Sequence, residues 1–209
     1  MRESLTFWQR ALLCLVVAVG SVSAELPPAY TACLACHGAN GEGNPALKAP
    51  ALASLNADYI VRQLNNFADG HRGTAEGDAT GAQMTAFATM LNEADRQAIA
   101  QGLALLPSQR RPATIDGDAA KGEKLFNANC GDCHGAFAEG NEAFSAPRLV
   151  GQHDQYLFDQ VMKFKNGQRG YAADDRLGRQ MAFMSSEIAD ETALRHVVAY
   201  IQSLPVPAP

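Results

Sequence analysis

The chain has 209 residues, room for one or two domains, and a formal net charge of −5 at pH 7. That acidic balance argues against a nucleic-acid binder, and 47% apolar with 19% charged residues is a globular composition, not a disordered one. Aromatic residues make up only 7%, which suits small domains whose core is centred on a cofactor.

The chain opens with a targeting signal. Arg2 and Arg10 flank a polar start, residues 11–19 form an apolar run, and Val22-Ser23-Ala24 reads as a small-residue cleavage site. The run is shorter than the roughly 20 residues that span a bilayer. Residues 1–24 are therefore read as a signal peptide cleaved after Ala24, with a retained anchor as the alternative. Cys14 lies inside the run and is read as filler. Removing Arg2, Glu3 and Arg10 takes the net charge of the mature chain from −5 to −6. The remaining cysteines, Cys33, Cys36, Cys130 and Cys133, all lie in two CxxCH motifs, so none is left for a disulfide that export would permit.

The motifs are Cys33-Leu34-Ala35-Cys36-His37 and Cys130-Gly131-Asp132-Cys133-His134. Residues three apart share a helix face, so two thiols can reach the two vinyl groups along one edge of a haem. The following histidine, His37 or His134, can then meet the iron from the same side, which is the reading of CxxCH as a c-type haem attachment site. A zinc knuckle would want further Cys or His nearby, and a thioredoxin-like redox pair would want a βαβ pattern. The sequence offers neither.

The motifs lie 97 residues apart, and that offset recurs. It relates Gly43 to Gly140, Asn44 to Asn141, Pro50 to Pro147, Tyr59 to Tyr156 and Gln63 to Gln160. It also relates Phe67 to Phe164, Gly70 to Gly167, Arg72 to Arg169 and Met84 to Met181. Two tandem homologous domains follow, at residues 25–106 and 115–205, joined by a linker at 107–114 that holds Pro107 and Pro112. Each half reads as helical. Ile60, Leu64 and Phe67 share a face before Gly70, and Leu157, Val161 and Phe164 do so before Gly167. The last helices start near Asn92 and Asp190 with acidic first turns, which favour the positive end of the helix dipole. No segment alternates like a strand.

A haem iron with one histidine needs a second ligand or an open position. A thioether sulfur favours ferrous iron and raises the potential. Met84 and Met181 are the candidates, because each follows a glutamine and precedes the last helix by about the same distance. Met90 and Met184 compete but have no counterpart in the other half, and Met162 reads as core filler. Pro50 and Pro147 read as supports, each holding a rigid carbonyl for the other nitrogen of its histidine. His71, His153 and His196 have no matched partner and read as surface or loop residues.

On CLACHGANGEGN and CGDCHGAFAEGN, on APALASLNADYI and APRLVGQHDQYL, and on the QM before each last helix, the chain resembles tandem class I cytochromes c, most closely the cytochrome c4 family. The resemblance implies an all-α fold in each half and two covalently bound haem c groups, each with one His/Met-ligated iron. It implies a periplasmic electron carrier, at times loosely associated with the membrane. Such a carrier takes electrons from a quinol-oxidising complex or dehydrogenase to a terminal oxidase, with no chemistry of its own. A permanent cytochrome subunit of a dehydrogenase is the alternative, and a di-haem peroxidase a weaker one. The chain departs from the family where an N-terminal helix meets the last helix through a glycine and an aromatic. The second half keeps Gly122 and Tyr200, whereas the first has Glu25 and Gly102. The first half should therefore have a truncated N-terminal helix and be the less stable. Finally, the segment leading to Met181 holds Lys163, Lys165, Arg169, Arg176 and Arg179 against Asp174 and Asp175, where only Arg72 stands against Asp69, Glu76 and Asp78 before Met84. If these segments rim the haem edges, the molecule has one basic and one acidic docking end.

Overall fold

The computed structural model describes residues 25–206. The signal-peptide reading, its cleavage point at Ala24 and Cys14 fall outside the described residues. The described chain is helical, and its only β pairing is two isolated bridges, Asn44 with Ala49 and Asn141 with Ala146. Among the described residues no helix is long and apolar enough to cross a membrane.

The first unit starts with a 3-10 turn, Pro28–Cys33, that runs directly into α1, Leu34–His37. Helix α2, Ala57–Ala68, starts where the Asn56 side chain accepts the N–H groups of Asp58 and Tyr59 at 2.9 and 3.3 Å. Such a cap satisfies donors the helix cannot satisfy itself. It buries Ile60, Val61 and Phe67, and Gly70, at φ +75°, ends the run. Helix α3 is Ala79–Ala88, and α4, Glu93–Ala104, is capped by Asn92 on the Asp95 N–H at 2.9 Å. Ile99, Ala100 and Leu103 of α4 close the core against α2.

The second unit repeats this order with one addition. Helix α5, Ala119–Asn129, precedes the motif helix α6, Gly131–His134, and is followed by α7, Asp154–Lys165, α8, Arg176–Ser186, and α9, Glu191–Ser203. Leu194, Val197, Val198 and Ile201 of α9 and Phe126 of α5 form the core. The crossing of α5 and α9 depends on Gly122. A Cβ there would stand 1.9 Å from the His196 carbonyl oxygen and 2.9 Å from Tyr200 Cβ. The rings of Phe126 and Tyr200 then meet at 5.4 Å.

Among the described residues the first unit has no counterpart of α5. Leu26 and Pro27 cover Gly102 instead, and Tyr30, 1% exposed, fills the space and donates its hydroxyl to the Gly38 carbonyl at 2.9 Å. The glycine–aromatic contact is thus present in the second unit and replaced in the first, as Glu25 and Gly102 suggested. The segment between α4 and α5 is irregular and lies on the second unit. Arg110 reaches the Gln202 and Leu204 carbonyls, and Asp154 accepts the Thr114 and Ile115 N–H groups.

The two units meet through hydrogen bonds. The Gln152 amide accepts the Ala51 N–H and donates to the Ala51 carbonyl, both at 2.8 Å. His153 Nε2 donates to the Glu42 carbonyl at 3.0 Å. His153 is thus a loop residue, in the position just before α7, but a buried one: it is 7% exposed, and burial lowers its pKa. His196, by contrast, is no loop residue, since it lies on α9 and its Nδ1 accepts the Asp118 N–H at 2.9 Å. His71 follows α2 and is half-buried.

Candidate functional site

Each CxxCH motif forms one helical turn with its first cysteine just ahead of it, Cys33 before α1 and Cys130 before α6. Cys33, Cys36 and His37, and likewise Cys130, Cys133 and His134, line one continuous cavity that runs through both units. Among the described residues no cluster of three or more His, Cys, Asp or Glu side chains could cage a metal ion, so a zinc knuckle has no ligand set.

The two histidines are held alike. His37 Nδ1 donates to the Pro50 carbonyl at 3.0 Å, and His134 Nδ1 to the Pro147 carbonyl at 2.8 Å. A carbonyl only accepts, so Nδ1 carries the proton and Nε2 keeps its lone pair. Burial pushes both pKa values below the ordinary histidine range, against the opposing effect of the carbonyl bond. Both rings are therefore neutral at pH 7, the form that ligates a metal. The proline carbonyl is presented by a small loop closed by Asn44 and Ala49, whose backbones exchange bonds of 2.9 and 3.0 Å. Gly43, at φ +76°, permits the approach, because a Cβ there would lie 2.5 Å from the Pro50 carbonyl carbon. Gly140, Asn141 and Ala146 repeat the arrangement around Pro147.

Two methionines, Met84 and Met181, line the same cavity. Met84 lies on α3 and Met181 on α8, so each stands on a helix of its own, started by Asp78 or Asp175 accepting the N–H of Gly81 or Gly178. Met184, one turn after Met181, also lines the cavity, whereas Met90 does not and is 68% exposed. Phe87 occupies the position in the first unit that corresponds to Met184.

Between the two sites lies a group of residues that sequence reading did not bring together. Arg72 donates to Gln63 at 2.7 Å, Gln160 at 2.8 Å and the Tyr156 hydroxyl at 3.1 Å. Arg169 donates to Gln63 at 2.9 Å, Gln160 at 3.0 Å and the Tyr59 hydroxyl at 3.3 Å. These are three repeat-related pairs, so the two units face each other about an approximate two-fold axis. The signal was present in the sequence. Tyr59, Gln63 and Phe67 fall four residues apart on one helix face, and the matched polar pair on an otherwise apolar face marks a buried contact. The loop charges consequently do not form two docking rims. Arg72 and Arg169 are buried between the units, Lys163 bridges to Asp78, and Lys165 is tied to the Ser185 and Ile188 carbonyls.

The arrangement fits haem. Arg72 and Arg169 are each 7% exposed, and the ion pairs among the described residues are Lys121–Asp118 and Lys163–Asp78. Two buried guanidinium groups with only neutral acceptors favour nearby anions, and haem propionates are anions. The neutral histidines, the paired cysteines and the methionines lining the same cavity are residue types that fit a c-type haem.

The cytochrome c family model matches residues 28–103 and 119–205. The thiosulfate dehydrogenase electron acceptor of Thiomonas intermedia is 38% identical over 70% of this chain and 68% of its own length. Cytochrome c4 of Azotobacter vinelandii is 30% identical over 82% of this chain and 84% of its own. The cytochrome c4 structure from Acidithiobacillus ferrooxidans superposes with a TM-score of 0.67 at 28% identity, covering 82% of this chain and 98% of that one. The chain belongs to the cytochrome c family, as a tandem, all-α electron carrier of the cytochrome c4 kind with two covalently bound haem c groups.

Proposed function

We propose that the chain is an exported carrier, its signal removed after Ala24, with cytochrome domains at residues 25–106 and 115–205 and a linker at 107–114. It takes electrons from a dehydrogenase of the thiosulfate-oxidising type, or from a quinol-oxidising complex, and delivers them to a terminal oxidase. Cys33 and Cys36 hold one haem and Cys130 and Cys133 the other. His37 with Met84, and His134 with Met181, are the axial ligands, and Pro50 and Pro147 orient the histidines. One observation carries the site assignment: the same wall of histidine, proline carbonyl and methionine is built twice, 97 residues apart. The dehydrogenase assignment rests on the relative of that name.

Haem iron supplies a one-electron couple, and the protein residues set its conditions. The proline carbonyls fix both imidazole rings and raise their basicity. Soft thioether sulfur favours the reduced iron. Apolar walls formed by Leu55, Ile60, Leu103 and Leu194, Val198 and Ile201 keep water away, so little solvent has to reorganise when an electron arrives. The test is the spectrum and potential of the purified holoprotein. Met84→Ala and Met181→Ala should each turn one haem high-spin and lower its potential with covalent attachment intact, and Met184→Ala should leave the ligation unchanged. A normal spectrum in Met181→Ala with a changed one in Met184→Ala would reverse the assignment in the second domain. Rapid reduction by a thiosulfate-oxidising dehydrogenase, measured against a quinol-oxidising complex, tests the donor.

A further inference from the structure

The two haem sites do not obtain their nearby positive charge in the same way. Beyond the shared arginines, each unit's own loop lines the cavity with one basic residue, Lys48 in the first, where the second has Ser145, and Arg148 in the second, where the first has Ala51. The first site has a lysine that belongs to the other domain. Lys163, near the end of α7, extends its ammonium to Asp78 at 2.5 Å and to the Thr80 hydroxyl at 2.7 Å. The side chains are 17% and 2% exposed, and all three residues line the haem cavity. Asp78 also accepts the Gly81 N–H at 2.8 Å, so the lysine is fastened to the first turn of the helix that carries Met84. The repeat-related positions are Asn66, Asp175 and Leu177. Asn66 is buried with its amide nitrogen unpartnered, and Asp175 caps α8 with no ion-pair partner among the described residues. The Lys163–Asp78 pair has therefore no mirror image across the approximate two-fold axis.

We propose that Lys163 is a positioning and tuning residue for the first haem: held in the second domain, it neutralises Asp78 beside the first site and raises that site's reduction potential. The physical argument is electrostatic. Adding an electron to a haem adds negative charge, and a buried unpaired carboxylate opposes it, whereas a carboxylate paired with an ammonium opposes it far less. Burial limits screening by salt, so the effect persists at physiological ionic strength. Because the lysine comes from the opposite domain, its contribution to the first haem's potential depends on the domains being docked, and that contribution has no equivalent at the second haem. The inference rests on the assignment of the first haem to the site flanked by α3.

The experiment is a redox titration of the full holoprotein with each haem followed separately, the first identified through Met84→Ala. Lys163→Asn places in the first site the residue found at the equivalent position of the second. It should lower the first haem's potential, leave the second unchanged and preserve the optical band of methionine ligation. The expected size is roughly a threefold to tenfold shift in how one electron distributes between the haems, tenfold being about 59 mV for a one-electron couple. Lys163→Arg should restore the charge and the potential. Lys163→Asn combined with Asp78→Asn, which keeps a helix-capping side chain, should return the first haem close to its starting value. Equal shifts in both haems, or no shift in Lys163→Asn, would overturn the proposal. Failure of Met84→Ala to change either spectrum would overturn the haem assignment instead, which keeps the two failures apart.

Discussion

The two domains share one haem-binding plan but close it differently. In the second, α5 crosses α9 at Gly122, and Phe126 and Tyr200 fill the contact. In the first, Leu26, Pro27 and a 3-10 turn lie over Gly102, and Tyr30 fills the space. A helix crossing buries a continuous apolar stripe and satisfies its own backbone, whereas a short irregular segment does neither over any length. The difference shows that the motif turn, the proline loop and the helix carrying Met84 or Met181 form alike whichever N-terminal closure lies over them. The N-terminal closure is a separate device, and the first domain draws part of its support from its neighbour through Gln152, His153 and Lys163.

The strongest way to break this comparison is to place the same methyl group at both glycines. At Gly122 an added Cβ meets backbone, the His196 carbonyl oxygen, at 1.9 Å, so α5 and α9 must separate. Gly122→Ala should cost about 3 kcal/mol of stability in the second domain. At Gly102 the nearest atom is the tip of the Leu26 side chain at 2.9 Å, which can rotate away. Alanine is also the better helix former there by about 1 kcal/mol, so Gly102→Ala should come out near neutral. Thermal unfolding of the two holoprotein variants measures this, and equal losses would show that the two closures are alike.

Much of this was legible in the sequence because the rules concerned are local. Helix caps at Asn56, Asn92 and Asp190 are fixed by residues two or three positions away, and the Pro50 and Pro147 carbonyls by offsets from the motif histidines. Even the 3-10 turn that stands, among the described residues, where the second domain has α5 was foreshadowed by Glu25 and Gly102 in place of Gly122 and Tyr200. The domain interface was less legible. Lys163, Arg169 and His153 find partners 85 to 111 residues earlier in the chain, and no local periodicity encodes such a pairing. A lysine near a helix end looks the same in sequence whether it meets solvent or a carboxylate. The methionine helix of the first domain was hard to read, because Ala79–Ala88 has a weak apolar face and is rich in alanine on its outer side.

Acid should sharpen the comparison next. Asp154 has no acidic counterpart in the first domain, where Ala57 occupies the position. Burial raises its pKa, but the N–H groups of Thr114, Ile115 and Gln155 and the Thr114 hydroxyl outweigh burial, and the carboxyl sits below its ordinary range. A carboxyl depressed in the folded state contributes stability above the unfolded pKa and loses it as pH falls through the folded one. Asp154→Asn turns an amide nitrogen or a weaker acceptor towards those donors. It should cost about 1–3 kcal/mol at neutral pH and flatten the acid limb of the stability profile. Stability measured from neutral to acid pH checks this, and a variant with an unchanged acid limb would remove Asp154 from the account. Hydrogen exchange makes the same comparison without mutation. Amides of Glu93–Ala104 should exchange faster than those of Glu191–Ser203, because among the described residues no helix crosses Glu93–Ala104 as α5 crosses α9. Equal protection in both helices would contradict the weaker closure.

The smallest expected effect concerns docking. With Lys163, Lys165 and Arg169 turned inward, the charges left on the outer face of a methionine helix are Arg176 and Arg179, both exposed, with Phe183 68% exposed on the same face. The corresponding residues of α3 are Ala79, Ala82 and Ala86, all exposed and uncharged. A partner with an acidic surface would therefore meet a complementary field at the second domain and none at the first. Complementary charge acts mainly on the rate of encounter, and exposed charges are screened within about 8 Å at physiological salt. Arg176→Gln with Arg179→Gln should slow electron exchange with one redox partner several-fold at low salt, leave the other unchanged, and lose the difference as salt is raised. Lys163→Gln should not reproduce this salt-dependent pattern, because its charge is paired inside the molecule. Equal slowing with both partners, or a difference that survives high salt, would mean that the two outer faces are not distinguished by charge.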